Sequence, residues 1–122
     1  MFPAAIEIVA AAKPRAVLFE NVQRLATAKF EGYRRDLLVR LNKLGYQTEW
    51  RVLQAADFGV PLLRPRFILV ALLPSDAEHF AWPVGVRGSQ TVGATLVSLM
   101  AENGWRGAEA WSARANSLLP PQ

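Results

Sequence analysis

Two short stretches of this 122-residue chain put reactive side chains where chemistry is done. The first is Glu20-Asn21-Val22, directly after the apolar run Arg15-Ala16-Val17-Leu18-Phe19. Bounded by a turn on one side and by polar residues on the other, that run predicts a short buried strand. Ligands of α/β sheets bind at the carboxyl ends of strands, so an acid placed there is sited for general acid or base work. Glu20 and Asn21 have a purely structural use as well, since acidic and amide side chains often begin a helix or cap its first turn. The second stretch runs from Ala55 through Asp57, Gly59 and Pro61 to Arg64-Pro65-Arg66. It delivers two arginines, one residue apart, to the start of another apolar run. Their fixed-geometry donors could clamp a phosphate or the carbonyl edge of a base, or they are a solvated pair at a sheet edge.

Other chemistries are excluded by composition. There is no cysteine, so disulfides, thiolate metal sites and a cysteine nucleophile within these residues are ruled out. His79 is the single histidine, which removes histidine-pair metal sites, and no nucleophile-elbow sequence accompanies it. No metal site is expected, and beside Phe80 and Trp82 His79 reads as a packing or surface residue. Neither GxGxxG nor a phosphate-binding P-loop occurs. The net charge of +4 fits a polyanionic partner and fits an ordinary basic surface equally well. Hydrophobic residues make up 52% and charged residues 20%, which is the composition of a folded globular chain rather than a disordered one. No run approaches the roughly 18 apolar residues of a membrane span, and the start lacks the basic n-region of a signal peptide. A cytoplasmic location without membrane contact is the expectation.

The elements that must position the two stretches follow from periodicity. Ile6, Ile8, Val9 and their alanines predict a helix ended by Lys13-Pro14, because proline disfavours helical geometry at the residue before it. Phe30, Tyr33, Leu37, Leu38, Leu41 and Leu44 recur at helical spacing with Arg34, Arg35, Arg40 and Lys43 mostly between them, and Gly45 is a natural stop. Thr48, Trp50 and Val52 alternate with Glu49, Arg51 and Leu53 as in a strand with one face more buried. Arg66 to Leu73, almost continuously apolar, predicts a central strand ended by Pro74-Ser75-Asp76. From Glu78 to Pro83 and from Gly85 to Gly88 a loop with little periodicity marks a boundary. Beyond it lie a helix with Val92, Leu96, Leu99 and Met100 on one face and Gly104 as its stop, and a second around Ala108 to Asn116. Leu118 to Gln122 closes no element. The order is that of an α/β protein, and three strands leave sheet edges that ask for neighbours.

With the motifs in place, a resemblance can be stated. Lys13 to Val22 (KPRAVLFENV) is similar to the strand and ENV motif of DNA cytosine-5 methyltransferases, and Gly45 to Leu72, with VLQAADFGVP and RPRFILVAL, resembles the stretch bearing that family's QxRxR motif. The similarity covers about Phe2 to Leu73, more weakly His79 to Trp111. It implies methyl transfer from S-adenosylmethionine to carbon 5 of cytosine in DNA, the chemistry of restriction-modification methylation. Glu20 matches the glutamate that contacts ring nitrogen 3 of a flipped-out cytosine and makes carbon 6 electrophilic. Asn21 is implied to hold the local geometry. Arg64 and Arg66 match the motif's arginines, implied to bind the cytosine carbonyl and nearby phosphate while supporting Glu20. Leu62 stands where the motif has glutamine.

The family's nucleophilic cysteine, in a Pro-Cys motif upstream of ENV, and its glycine-rich cofactor loop have no counterpart among these residues, and the cofactor-binding residues stay unassigned. The resemblance therefore implies an internal part of a catalytic domain, inactive alone, with DNA and a complementary segment or subunit as partners. Its fold would be part of a Rossmann-like methyltransferase sheet with its antiparallel last strand, plus a short helical C-terminal extension. Residues 1–75 would be the C-terminal half of the catalytic sheet and 76–122 the loop and helices leading toward target recognition. In such a sheet Arg66 to Leu72 inserts between Val17-Phe19 and Thr48-Val52, carrying Arg64 and Arg66 toward Glu20. The alternatives are a non-catalytic module whose Arg34, Arg35, Arg40, Arg64 and Arg66 form a basic surface for nucleic acid or protein, and an inactive remnant.

Overall fold

A computed structural model of the chain describes residues 2–86 and 91–117. The expected tail from Leu118 to Gln122, and part of the loop from Gly85 to Gly88, lie outside the described residues. By packing, the chain forms two compact units, one of Met1–Leu53 with Pro65–Val84 and the other of Gln54–Arg64 with Gly85–Gln122. Loop 54–64, which the sequence places in the first segment, thus falls in the second unit.

In the first unit, helix α1 spans Phe2–Ala12. Lys13 then turns into the left-handed region at φ 47°, with its N–H donating to the Val9 carbonyl at 2.9 Å. Pro14 bars the helix from continuing, as the sequence predicts. Strand β1 covers Ala16–Val22, three residues further than the apolar run alone. Two 3₁₀ turns, Gln23–Ala26 and Ala28–Phe30, lead into helix α2 at Glu31–Lys43. Gly45, at φ 94°, closes that helix: the Tyr46 N–H reaches back to the Leu41 carbonyl at 3.2 Å, satisfying an end carbonyl in the manner of a glycine C-cap. Strand β2 follows at Gln47–Gln54 and strand β3 at Pro65–Leu72.

The sheet order is β1-β3-β2, the insertion of the last strand that the resemblance implied. β1 and β3 are antiparallel, with Ala16 opposite Leu72, Glu20 opposite Ile68 and Val22 opposite Arg66. Alternation along β1 buries Val17 and half-buries Phe19 and Asn21, while Leu18, Glu20 and Val22 face outward and are exposed. The inward face joins Phe67, Leu69 and Ala71 of β3, Val9 of α1, and Leu37 and Leu41 of α2 in one core. Phe67, Leu69 and Leu41 are its largest fully buried side chains, so truncating any of them to alanine should cost about 2–5 kcal/mol.

The buried stripe of α2 is rotated from the one expected. Leu37 and Leu41 are buried, but Tyr33 and Leu44 are 43% and 39% exposed. Arg34, three, four and seven residues before Leu37, Leu38 and Leu41, lies on the stripe instead. At the far end of the strand pair, the Leu73 N–H donates to the Arg15 carbonyl at 3.1 Å, and Arg15 also forks onto the Asp76 carboxylate, its Nε at 3.2 Å from Oδ2. Asp76 belongs to the single turn of helix α3, Pro74–Ala77. The Tyr46 hydroxyl donates to the Pro14 carbonyl at 2.6 Å, tying the starts of β1 and β2. The segment beyond α3 is less loose than its sequence suggests: the Trp82 indole N–H donates to Glu49 Oε2 at 2.7 Å, and Arg51 lies over its ring.

The second unit holds a 3₁₀ turn at Ala55–Phe58, helix α4 at Val92–Glu102 and helix α5 at Ala108–Ser117. Thr91 caps α4 by accepting from the Ala94 N–H at 3.0 Å. On the apolar face read from the sequence, Val92, Leu96 and Leu99 are exposed and Met100 is half-buried, whereas Gly93, Ala108 and Ser112 are buried. Periodicity identifies a face able to be buried; only a packing partner buries it. Among the described residues no helix is long and apolar enough to cross a membrane.

The Arg15 hydrogen bond holds the Asp76 carboxyl below its ordinary value, against desolvation and with smaller help from the charges of Arg15 and His79. A lowered carboxyl pKa stabilises the fold above the unfolded-state value and is lost as pH falls through the folded one. Asp76→Asn should therefore reduce stability to urea at neutral pH, and the difference from the native chain should shrink below about pH 4. A difference that persists unchanged at about pH 2 would remove the pair from this role.

Candidate active site

The polar residues that end β1 remain in the strand. The first 3₁₀ turn begins only at Gln23, its N-cap position is Val22, and no side chain caps it. The capping role open to Glu20 and Asn21 is therefore not the one they play. Ladder bonding to β3 extends through Val22, and this holds the three residues extended.

Extension decides which way each side chain points. Successive strand residues face opposite sides of the sheet. Asn21, paired with the fully buried Phe67, turns inward and is half-buried. Its Oδ1 accepts from the Val22 N–H at 2.8 Å, a local bond at the end of the strand. Glu20 turns outward. So does Arg66, because it lies opposite Val22. Glu20 and Arg66 are thus diagonal neighbours on the exposed face, a separation that long side chains span. Arg66 Nε sits 2.6 Å from Glu20 Oε1, and Arg66 Nη1 donates to its neighbour's Pro65 carbonyl at 3.0 Å. The side chains are 24% exposed for Arg66 and 53% for Glu20, so the carboxylate is oriented yet accessible.

Arg64 belongs to the second unit, where its N–H donates to the Gln54 side-chain oxygen and its carbonyl accepts from the Ala55 N–H at 3.4 Å. Those bonds close the mouth of the 54–64 loop, and Gly59 at φ 79° turns within it. Asp57 accepts through its carbonyl from the Val86 N–H at 2.7 Å, and a Cβ on Gly85 would meet that same carbonyl oxygen at 2.8 Å, so Gly85 is held there by close approach. Leu62, at the glutamine position of the motif, is exposed.

The remaining arginines of the possible basic surface are mostly committed. Arg34 donates through Nη1 to the Leu25 carbonyl at 2.7 Å and the Thr27 carbonyl at 3.3 Å, and its guanidinium lies 4.6 Å from the centre of the Trp50 ring. Arg40 pairs with Asp36 at 2.9 Å. The spacing of Arg34 to Leu37, Leu38 and Leu41 puts it on the packed stripe of α2, although its residue type is that of a solvated position.

Comparison with known proteins fits these motifs. A model of the family described as C-5 cytosine-specific DNA methylase matches residues 1–118. The chain is 52% identical over 120 residues to the Type II methyltransferase M.NaeI of Lentzea aerocolonigenes, covering 98% of this chain and 29% of that protein. It is 41% identical over 121 residues to the Type II methyltransferase M.NgoMIV of Neisseria gonorrhoeae, covering 98% of this chain and 39% of that protein. The chain therefore spans well under half the length of these relatives. Among solved structures, a DNA modification methyltransferase encoded within an E. coli prophage shares the fold with a TM-score of 0.59 at 20% identity, over 75% of this chain and 27% of that one.

An exposed ion pair contributes about 0–1 kcal/mol to stability. Glu20→Gln should then shift the unfolding free energy by no more than about 1 kcal/mol in urea titration, and a larger loss would mark the pair as structural.

Proposed function

The chain belongs to the C-5 cytosine-specific DNA methylase family, and on that premise we propose that it supplies the cytosine-activating half of a DNA cytosine-5 methyltransferase active site. The observation that carries this reading is the Glu20–Arg66 pair at the carboxyl end of β1. Glu20 is the acid. Arg66 engages Oε1, leaving Oε2 to take up a proton from solvent and to face ring nitrogen 3 of a cytosine turned out of the duplex; transfer of that proton to the nitrogen withdraws electrons from carbon 6 and leaves Glu20 as the carboxylate paired with Arg66. Asn21 keeps the strand end in register, and Arg64 and Arg66 recognise the base carbonyl and a nearby phosphate through guanidinium donors. DNA is the substrate in this reading.

The attacking thiolate has to come from another segment, because none of the 122 residues is cysteine. S-adenosylmethionine supplies the methyl group in this chemistry, and most of its site is proposed to lie on another segment. A complementary segment carrying the nucleophile and cofactor loop is the partner proposed, continuing the sheet beyond β1, whose outer edge has no neighbouring strand in the order β1-β3-β2. The three strands are then part of a larger Rossmann-like sheet, and residues 76–122 lead toward target recognition.

Mixing the chain with a polypeptide that carries the rest of the M.NaeI methyltransferase sequence should transfer labelled methyl groups to DNA. Glu20→Gln should slow that transfer by about 10²–10⁴-fold. Undiminished transfer with Glu20→Gln, or no transfer in any such mixture, counts against the reading.

A further inference from the structure

The face of the sheet opposite Glu20 and Arg66 carries a stack of side chains that ends on residues next to the pair in β3 and just after β1. Arg34, from the second turn of α2, donates to the carbonyls of Leu25 and Thr27, which lie in and after the first turn that β1 enters on leaving Val22. A guanidinium bond to a partly buried carbonyl is among the stronger hydrogen bonds of a protein. The same guanidinium lies over Trp50 of β2, 4.6 Å from the ring centre, and Trp50 in turn stacks on Phe67 of β3 with ring centres 5.2 Å apart. Phe67 is fully buried, directly follows Arg66 in β3 and lies opposite Asn21.

We propose that Arg34 is the positioning residue of the Glu20–Arg66 pair, holding the chain that leaves β1 by two carbonyls and the start of β3 through the Trp50–Phe67 stack. The proposal rests on the reading of Glu20 and Arg66 as the working pair and adds the group that fixes their separation. Arg34 touches neither of them. Its effect passes through backbone: with Leu25 and Thr27 released, Glu20-Asn21-Val22 loses its anchor on the far side and the end of the ladder opposite Phe67 and Arg66 opens more often. A lysine cannot replace it, since one ammonium lacks the planar fork that bonds carbonyls and stacks on an indole at once.

The test is made on the isotopically labelled 122-residue chain without DNA, so its outcome is independent of the methyl-transfer assay. Exchange with water is followed at the Arg66 Nε–H and at the backbone amides of Val17 and Ala71, near the other end of the same strand pair. In Arg34→Lys, and in Trp50→Phe should the first variant fold poorly, the Arg66 Nε–H should exchange on the order of tenfold faster while the two amides keep their native rates. Equal acceleration at all three positions, or no change at Arg66, overturns the proposal, the first because Arg34 then supports the whole fold and the second because it does not hold the pair.

Discussion

The antiparallel register between β1 and β3 is the constraint on which the rest of the molecule depends. It sets Glu20 opposite Ile68, Asn21 opposite Phe67 and Val22 opposite Arg66. Because side chains alternate with a period of two, a slip of one residue by β1 would send Glu20 and its neighbours Leu18 and Val22 to the core and turn Val17, Phe19 and Asn21 out. The charge would then be buried and the apolar residues wetted. Burial of Val17 beside Phe67, Leu69 and Ala71 makes that slip costly, so the hydrophobic core is what aims the carboxylate outward.

That core is one-sided. α1 and α2 contribute Val9, Leu37 and Leu41 to the inward face, whereas Leu18 and Val22 on the outward face are 66% and 55% exposed. Glu20 lies between these two along the strand. Its ion pair with Arg66 contributes little to stability at such exposure, and its consequence is orientation: a guanidinium fixed on one carboxylate oxygen leaves the other free to meet a ligand.

The contacts of the arginines bear on the alternative of a basic binding surface. A surface that neutralises phosphates needs cations free to meet them. Arg34 is spent on two carbonyls and an indole, Arg40 on Asp36 and Arg66 on Glu20. Arg35 and Arg64 belong to different units. Part of the positive charge in the sequence is thus engaged in contacts within the fold, which composition alone does not distinguish from charge available to a polyanion.

The sequence by itself determined the elements and the motifs. Pro14 ended α1, Gly45 ended α2, the apolar runs became β1 and β3, and the ENV and RPR segments carried the kinship that comparison bears out. These are legible because stops, runs and motifs are properties of neighbouring residues. Which face is covered is not. Tyr33 of α2, Leu44 just after it, and Val92, Leu96 and Leu99 of α4 recur at helical spacing and are exposed, while Arg34 has the composition of a solvated position and lies in the packed stripe. The resemblance already carried Arg66 toward Glu20, more than forty residues away along the chain, and the structure bears that contact out; only the tertiary structure decided that the Arg64 backbone closes the 54–64 loop and that Asn21 turns inward. Each of those outcomes follows from strand pairing between distant segments, whose register is fixed by the shared burial of both strands rather than by either sequence alone.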